Sequence, residues 1–359
     1  MFRCTSCGAE HPSFRYTCPR CGSALLFIGS ELSWKPEGAG VWRYRSMLPV
    51  DRRVSMYEGG TPLIRRRDVR EEVYLKVEGN NPTGSFKDRG TSVVLSDAVG
   101  RGFATMAVAS TGNMGASVAA YSAYSNLEAR VFLPEDVPDE KVAQILAYGA
   151  RLVRVKGGFR NAARRMREEA DGAYLATTGL NPYFIEGLKT VAFELYEQMG
   201  VPDAVIVPTG TGGLLTAIHK GFEELRSLGV TTTVPRMVAA QAAAAAPIVQ
   251  AWRDRGPLRP PKEARSIASA ILVKEPYNGL SAIAAMDRSG GCGIEVTDDE
   301  LIAAVRELGR EGVFAEPSAA ASLAAHKKLG PMGRTALIVT GSGLKDPMAT
   351  LDASRGRGA

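Results

Sequence analysis

Three times in this chain of 359 residues, a short aliphatic run ends in small residues rich in glycine and hydroxyls and then passes into a helical pattern. The runs are 74–77, 105–109 and 204–207, and a fourth, 335–339, ends in Thr340-Gly341-Ser342-Gly343. Further strand patterns lie at 129–133, 151–155 and 237–241. Helical patterns fall at 139–148, 159–170 and 186–199, and Thr297-Asp298-Asp299-Glu300 forms a capping box opening a helix to about residue 309. This alternation demands parallel sheets covered by helices, an α/β architecture. In such sheets ligands bind beyond the carboxyl ends of the strands, where all of these small-residue loops fall.

The first loop carries Thr83-Gly84-Ser85-Phe86-Lys87-Asp88-Arg89-Gly90. Lys87 stands at a helix start, where a cation is mildly disfavoured, so its placement suits an amine neutralised by a covalent bond to a carbonyl. A surface lysine is the commoner meaning of any single Lys. The second loop, Ser110-Thr111-Gly112-Asn113, offers hydroxyls and free N–H groups to a carboxylate, or is an ordinary N-cap. The third, Pro208-Thr209-Gly210-Thr211-Gly212-Gly213-Leu214, can close backbone N–H groups around a phosphate, or mark only a tight connection.

Taken in order, these segments resemble the pyridoxal-phosphate (PLP) enzymes of fold type II, which include threonine synthases, threonine and serine dehydratases and cysteine synthases. Asn81 to Gly90, Glu58-Gly59-Gly60-Thr61-Pro62-Leu63, Glu186-Gly187-Leu188-Lys189-Thr190 and Thr340-Gly341-Ser342-Gly343-Leu344-Lys345-Asp346-Pro347 look most like the threonine synthase versions. The resemblance covers roughly residues 55 to 350. It implies a two-domain, tryptophan synthase β-like fold with the cofactor between the domains and Lys87 as its covalent partner and proton shuttle. Phe86, Asn113, Gly210, Thr211, Gly212, Gly213 and Leu214 are then cofactor-binding. Thr340 faces the pyridine nitrogen, with Ser342 a second candidate for that bond. Ser85, Ser110, Thr111, Gly112 and Asn113 are substrate-binding. A neutral hydroxyl at the ring nitrogen suits elimination and replacement at the β or γ carbon better than transamination.

The chain departs from the threonine synthase pattern where the substrate's own phosphate is held. Met114 stands where Thr is usual, Thr178-Gly179 where Asn-Ser is usual, Phe184 where an arginine is usual, and Thr211 where Asn is usual. Losing the arginine removes the best dianion clamp, and phenylalanine makes that wall apolar. The resemblance therefore implies a PLP lyase with two readings: a threonine synthase or threonine synthase-like paralogue, and a threonine or serine dehydratase or β-replacing enzyme. An idle binding protein on the same scaffold is a third reading, which the retained Lys87, Asn113, glycine loop and Thr340 disfavour. Arg160 and Arg89 are candidate replacement cations. With the sequence ending at Ala359, the regulatory domain of feedback-controlled threonine deaminases is not expected.

At the other end, Cys4-x-x-Cys7 and Cys18-x-x-Cys21 are separated by ten residues, and each pair runs into a glycine. Paired knuckles of this spacing bring four thiolates to a tetrahedral zinc site, with disulfides the alternative. The absence of a signal peptide favours a reducing, cytoplasmic setting and hence metal. Archaeal-type threonine synthases look similar here. Cys292, between glycines, is left over and expected to be inert.

Net charge is +6, with basic residues scattered among acidic ones rather than gathered into a nucleic-acid face. No apolar run is long enough to span a membrane; 237–252 is interrupted by Gln241 and Pro247. The expected organisation is a zinc ribbon (1–30), a large PLP domain (31–91 and 181–359) and a small domain (92–180). The expected partner is a small amino-acid substrate, without nucleic acid or membrane, and by resemblance a homodimer.

Overall fold

The structure is a computed structural model describing residues 1–29, 31–67 and 71–355, the side chain of Lys141 excepted. Three short strands, β1 (Phe2–Cys4), β2 (Glu10–His11) and β3 (Leu25–Phe27), form a small antiparallel sheet in the order β2-β1-β3.

The larger sheet is built from β4 (Leu63–Arg65), β5 (Val73–Val77), β10 (Ala204–Pro208), β11 (Arg236–Ala242), β12 (Cys292–Val296) and β13 (Thr335–Val339). Its order is β12-β11-β10-β13-β5-β4, parallel throughout except for the antiparallel edge strand β4. The second sheet, β8-β7-β6-β9, is all parallel: β6 (Thr105–Ala109), β7 (Glu128–Pro134), β8 (Arg151–Val155) and β9 (Tyr174–Leu175). Every residue of β10 and β13 is buried, as expected of parallel strands covered on both faces.

Helices clothe both sheets: α1 (Lys87–Gly100), α2 (Asn113–Tyr124), α3 (Asp139–Ala147), α4 (Phe159–Glu169), α5 (Pro182–Leu188), α6 (Thr190–Met199), α7 (Gly213–Ser227), α8 (Pro247–Arg253), α9 (Gly279–Ser289), α10 (Asp298–Arg310), α11 (Pro317–Leu329) and α12 (Pro347–Arg355). The capping box is formed: Thr297 Oγ1 accepts from Glu300 N–H while the Glu300 carboxylate accepts from Thr297 N–H.

One sequence expectation is corrected. The single helix 186–199 is two helices that begin four residues earlier. Asn181 accepts from Tyr183 N–H and Pro182 sits at the first helical position, which together start α5. Thr190 Oγ1 then donates to Gly187 O at 2.7 Å where α5 gives way to α6. The apolar run 237–252 resolves into β11, a short 3-10 turn and α8, with Gln241 Oε1 accepting from Ile248 and Val249 N–H. Among the described residues, no helix is long and apolar enough to cross a membrane.

Beneath the large sheet lies a buried charge lattice. Arg89, fully buried, donates to both Glu78 and Glu194, and Lys76 donates to Glu194 at 2.6 Å. Paired in this way, these charges avoid the several kcal/mol that an isolated buried ion costs. This also takes Arg89 out of contention as a substrate cation.

Candidate active site

The loops that follow β5, β6, β10 and β13 bring Phe86, Lys87, Asn113, the Pro208–Leu214 turn and Thr340 to the wall of one cavity, together with Phe184, Leu188, Thr178, Ala270, Ile271 and Glu316. The lysine segment is held to the end of β13 by backbone bonds. Phe86 N–H donates to Thr340 O at 3.0 Å, Ser342 N–H to Gly84 O at 2.9 Å, and Ser85 bridges Gly341.

Lys87 is the first residue of α1. Its Nζ lies 4.2 Å from the Phe86 ring centroid and 5.8 Å from that of Phe184. Burial pushes the amine down to about 8, while the nearby Glu316 charge acts in the opposite direction. Next to it, Asp88 accepts from Thr83 N–H, Thr83 Oγ1 and Ser117 Oγ, each at 2.6 Å, which ties α1 to α2. Burial raises the Asp88 carboxyl to about 6 against those bonds.

At the glycine loop, Gly212 has φ +88°, and a Cβ there would stand 2.7 Å from Asn278 O. Only glycine fits this turn without strain. Thr216 N–H donates to Gly212 O and Gly213 N–H to Thr211 Oγ1 at 3.4 Å, so the Leu214 and Leu215 N–H groups precede any carbonyl of their own helix and are available to an anion. The buried Asn278 Oδ1 has no hydrogen-bond partner and lies 3.4 Å from where a Gly213 Cβ would be. A hydroxyl at the end of β13, a glycine turn opening a helix N-terminus and a neutralisable amine form a donor set that fits pyridoxal phosphate.

The hydroxyl candidates separate. Ser342 Oγ accepts from Leu344 N–H, and of the pair only Thr340 lines the cavity. Ser110, Thr111 and Gly112 form the turn before α2, with Ser110 Oγ accepting from Gly112 N–H, but do not themselves line the cavity. Ser85 is fully buried with its hydroxyl unpartnered. Of the positions that depart from the threonine synthase pattern, Thr178, Phe184 and Thr211 lie on the wall, and Met114 is buried just beyond Asn113. The Phe184 ring packs against Gly90, where a Cβ would come within 2.5 Å of it. Arg160 does not line the cavity. It is exposed and pairs with Glu275.

Three wall residues, Glu316, Ala270 and Ile271, escaped sequence reasoning. Glu316, 4% exposed, accepts from Asn113 Nδ2 at 2.9 Å and precedes Pro317 at the start of α11. The strap holding Ala270 and Ile271 carries no sequence signal beyond its place before Asn278. The Glu-Pro step at a helix start could have drawn attention to Glu316.

In the N-terminal sheet, the Sγ atoms of Cys4, Cys7, Cys18 and Cys21 all lie within 4.8 Å of one another, and none of them forms a disulfide. Cys4–Cys21, Cys7–Cys21 and Cys7–Cys18 are 3.4, 3.6 and 3.7 Å apart. Cys292 lies half-buried in β12, and burial raises its thiol.

Comparison with known proteins identifies the family. Residues 54–341 match the family described as pyridoxal-phosphate dependent enzyme. The chain is 40% identical to a threonine synthase of Methanosarcina acetivorans, with 98% of this chain and 93% of the relative aligned. It is 42% identical to a threonine synthase of Methanocaldococcus jannaschii, with 98% and 94% aligned. Among solved structures, a T.th. threonine deaminase superposes with a TM-score of 0.66 at 28% identity, covering 79% of this chain and 92% of that one. The lysine at the head of α1, the glycine nest at the head of α7 and a family match across most of the chain lead to one conclusion: the protein belongs to the pyridoxal-phosphate dependent enzymes, with their α/β fold of parallel sheets.

Proposed function

We propose that the protein is a threonine synthase or threonine synthase-like paralogue that converts O-phospho-L-homoserine and water into L-threonine and phosphate. The observation that carries this reading is the shared cavity of Lys87, Asn113, the glycine turn and Thr340, in a chain about 40% identical to threonine synthases over nearly its full length. In the overall reaction the Cγ–O bond breaks and phosphate leaves with the electron pair. One proton leaves Cβ, where water oxygen bonds, and Cγ gains a proton; the remaining proton of the water goes to the departing phosphate.

Pyridoxal phosphate bound here supplies an electron sink for the charge left when the Cα proton is removed. The Lys87 amine, at about 8, has an accessible neutral form near pH 7 and takes and returns the proton at Cα. The N–H groups at the head of α7, with Gly210, Thr211, Gly212, Gly213 and Leu214, hold the cofactor phosphate. Phe86, Asn113 and Thr340 would hold the cofactor ring, Asn113 offering its amide to the phenolic oxygen and Thr340 its hydroxyl to the ring nitrogen. Ser85 and the Ser110-Thr111-Gly112-Asn113 turn orient the substrate carboxylate. Phe184, Leu188 and Ile271 make a dry wall that limits water to what the reaction consumes.

A dehydratase acting on threonine or serine is the second reading, favoured by one observation: the cavity wall at Phe184 is apolar and offers no charge there to a leaving phosphate. Incubating PLP-loaded protein with O-phospho-L-homoserine tests both. Stoichiometric release of phosphate and threonine supports the first reading. No turnover, with 2-oxobutyrate or pyruvate formed from threonine or serine, overturns it in favour of the second.

The same proposal assigns the four cysteines to a structural zinc ion. At a Zn–S length of about 2.3 Å a tetrahedral site has S–S edges of about 3.8 Å, close to the observed separations, and four thiolates leave no open position. It also divides the chain into the ribbon (1–30), a large domain (31–91 and 181–359) and a small domain (92–180), working as a cytoplasmic homodimer.

A further inference from the structure

Glu316 is a buried carboxyl in the cofactor cavity that no step above uses. Its backbone N–H donates to Gly341 O at 3.2 Å, and the preceding Ala315 bridges Ser342. The carboxyl is thus fixed to the same stretch that holds the lysine segment through Phe86 N–H and Thr340 O. A Cβ on Gly341 would stand 2.5 Å from Glu316 Oε1 and 3.4 Å from Asn113 Nδ2, so the glycine is what lets the pair pack against this strand end.

The hydrogen bond between them has a directional consequence. A carboxylate can only accept, so the Asn113 amide must present its NH2 group to Glu316. That group has two hydrogens, and the second remains free for a partner in the cavity. A neutral Glu316 could instead donate, and the amide would then be free to turn its oxygen inward.

We propose, resting on the cofactor reading above, that Glu316 is a positioning residue: it orients the Asn113 amide so that its free N–H meets the cofactor's phenolic oxygen, and it sets a negative charge beside the Lys87 nitrogen. The charged groups facing Glu316 are Lys87 from α1 and Lys345 and Asp346 from the turn after β13, and Lys345 also faces Asp88. Burial raises the Glu316 carboxyl to about 7, opposed by the Asn113 hydrogen bond and by Lys345. Its charge, and with it the orientation of Asn113, therefore responds to pH within the working range. Lys345 in turn donates to Gln144 on α3, whose Nε2 donates to Thr83 O, so Lys345 is tied to α3 and to the loop before the lysine segment.

The test is a pH titration of the visible absorbance band of PLP-loaded protein, a readout independent of any substrate. Removing a nearby opposite charge lowers the proton affinity of a cationic nitrogen by about one pH unit or more. Glu316→Gln keeps an acceptor for Asn113 but removes the charge, and is expected to lower the midpoint of the band by about one unit. Glu316→Ala removes both and is expected also to weaken cofactor retention in dialysis several-fold, with thermal melting checking that each variant is folded. A wild-type band whose midpoint is the same in folded Glu316→Gln overturns the role of Glu316 and leaves the Lys87 assignment standing. A wild-type protein that gives no band with PLP overturns the Lys87 assignment and this inference with it.

Discussion

Phe14 stacks on Tyr183, ring centroids 5.1 Å apart and planes 17° from parallel, and the residue after Tyr183 is the cavity wall Phe184. Phe14 also stacks on Tyr174 in β9, while Tyr16 Oη accepts from Leu175 N–H in the same strand. The cysteine-bearing sheet is thus a brace between the smaller sheet and the helix that lines the cavity.

On the proposed zinc assignment, losing the ion should loosen α5. A Cys4→Ser protein is expected to lose its zinc, read as one ion per chain by elemental analysis of the parent. Phe14→Ala is expected to cost about 2–4 kcal/mol of stability with the zinc retained. Both should release PLP faster than wild type in dialysis. Unchanged retention in both would confine the ribbon to a structural role away from the cavity.

Lys87→Ala should abolish the visible cofactor band and lower turnover by about a thousandfold or more. Gly212→Ala should leave the band but cut PLP affinity at least about tenfold, because the left-handed turn strains by about 1–3 kcal/mol with any side chain. Equilibrium dialysis and absorbance spectra distinguish the two.

Phe184→Arg restores a cation on the wall. The KM for O-phospho-L-homoserine is expected to fall by about tenfold, the value of one charge-assisted contact, with no such gain for serine. Some stability is lost because the ring is packed on Gly90. An unchanged KM would mean that the substrate phosphate is held elsewhere.

Glu194 carries a pH signature. Burial opposes its charge, but Arg89 and Lys76 outweigh that and hold its carboxyl down at about 2, below the usual 4.5. A folded-state value below the unfolded one contributes stability above about pH 4.5 that is lost as pH falls toward 2. Glu194→Gln should therefore cost about 3–5 kcal/mol near pH 6 by leaving two buried cations short of a partner. The gap between variant and wild-type melting curves should narrow as the pH falls below 4.

Thr297→Ala, which removes only the side-chain half of the capping box, should cost about 1 kcal/mol in denaturant unfolding and leave turnover unchanged.

Much of this was legible in the chain because strand, loop and helix each carry a local signature. The burial of 204–207 followed from its unbroken aliphatic character, and the positions of Lys87, Asn113 and the glycine turn from the strands before them. What was not legible depends on contacts between distant segments. Arg89 reads like any motif arginine, and only the assembled fold shows it spent on Glu78 and Glu194. Arg160 reads like a spare cation until Glu275 is found beside it. Ser110, Thr111 and Gly112, substrate-binding by resemblance, form the turn that leads into Asn113, and only the assembled fold shows how they sit beside the cavity-lining residues. Edge elements such as β4 and β9 are too short to show a period, and Glu316 gains meaning only from Asn113, on another helix.

The strand order has a consequence for how such a chain is made. β13, the last strand in sequence, lies in the middle of the large sheet between β10 and β5, whereas β6 to β9 are consecutive in sequence. The smaller sheet can assemble while the ribosome is still translating the second half of the message. The larger one must wait, its two halves unjoined, until nearly the whole chain has emerged. Because Thr340 and the support for the Lys87 loop arrive with that final strand, cofactor capture is expected only after synthesis is all but finished.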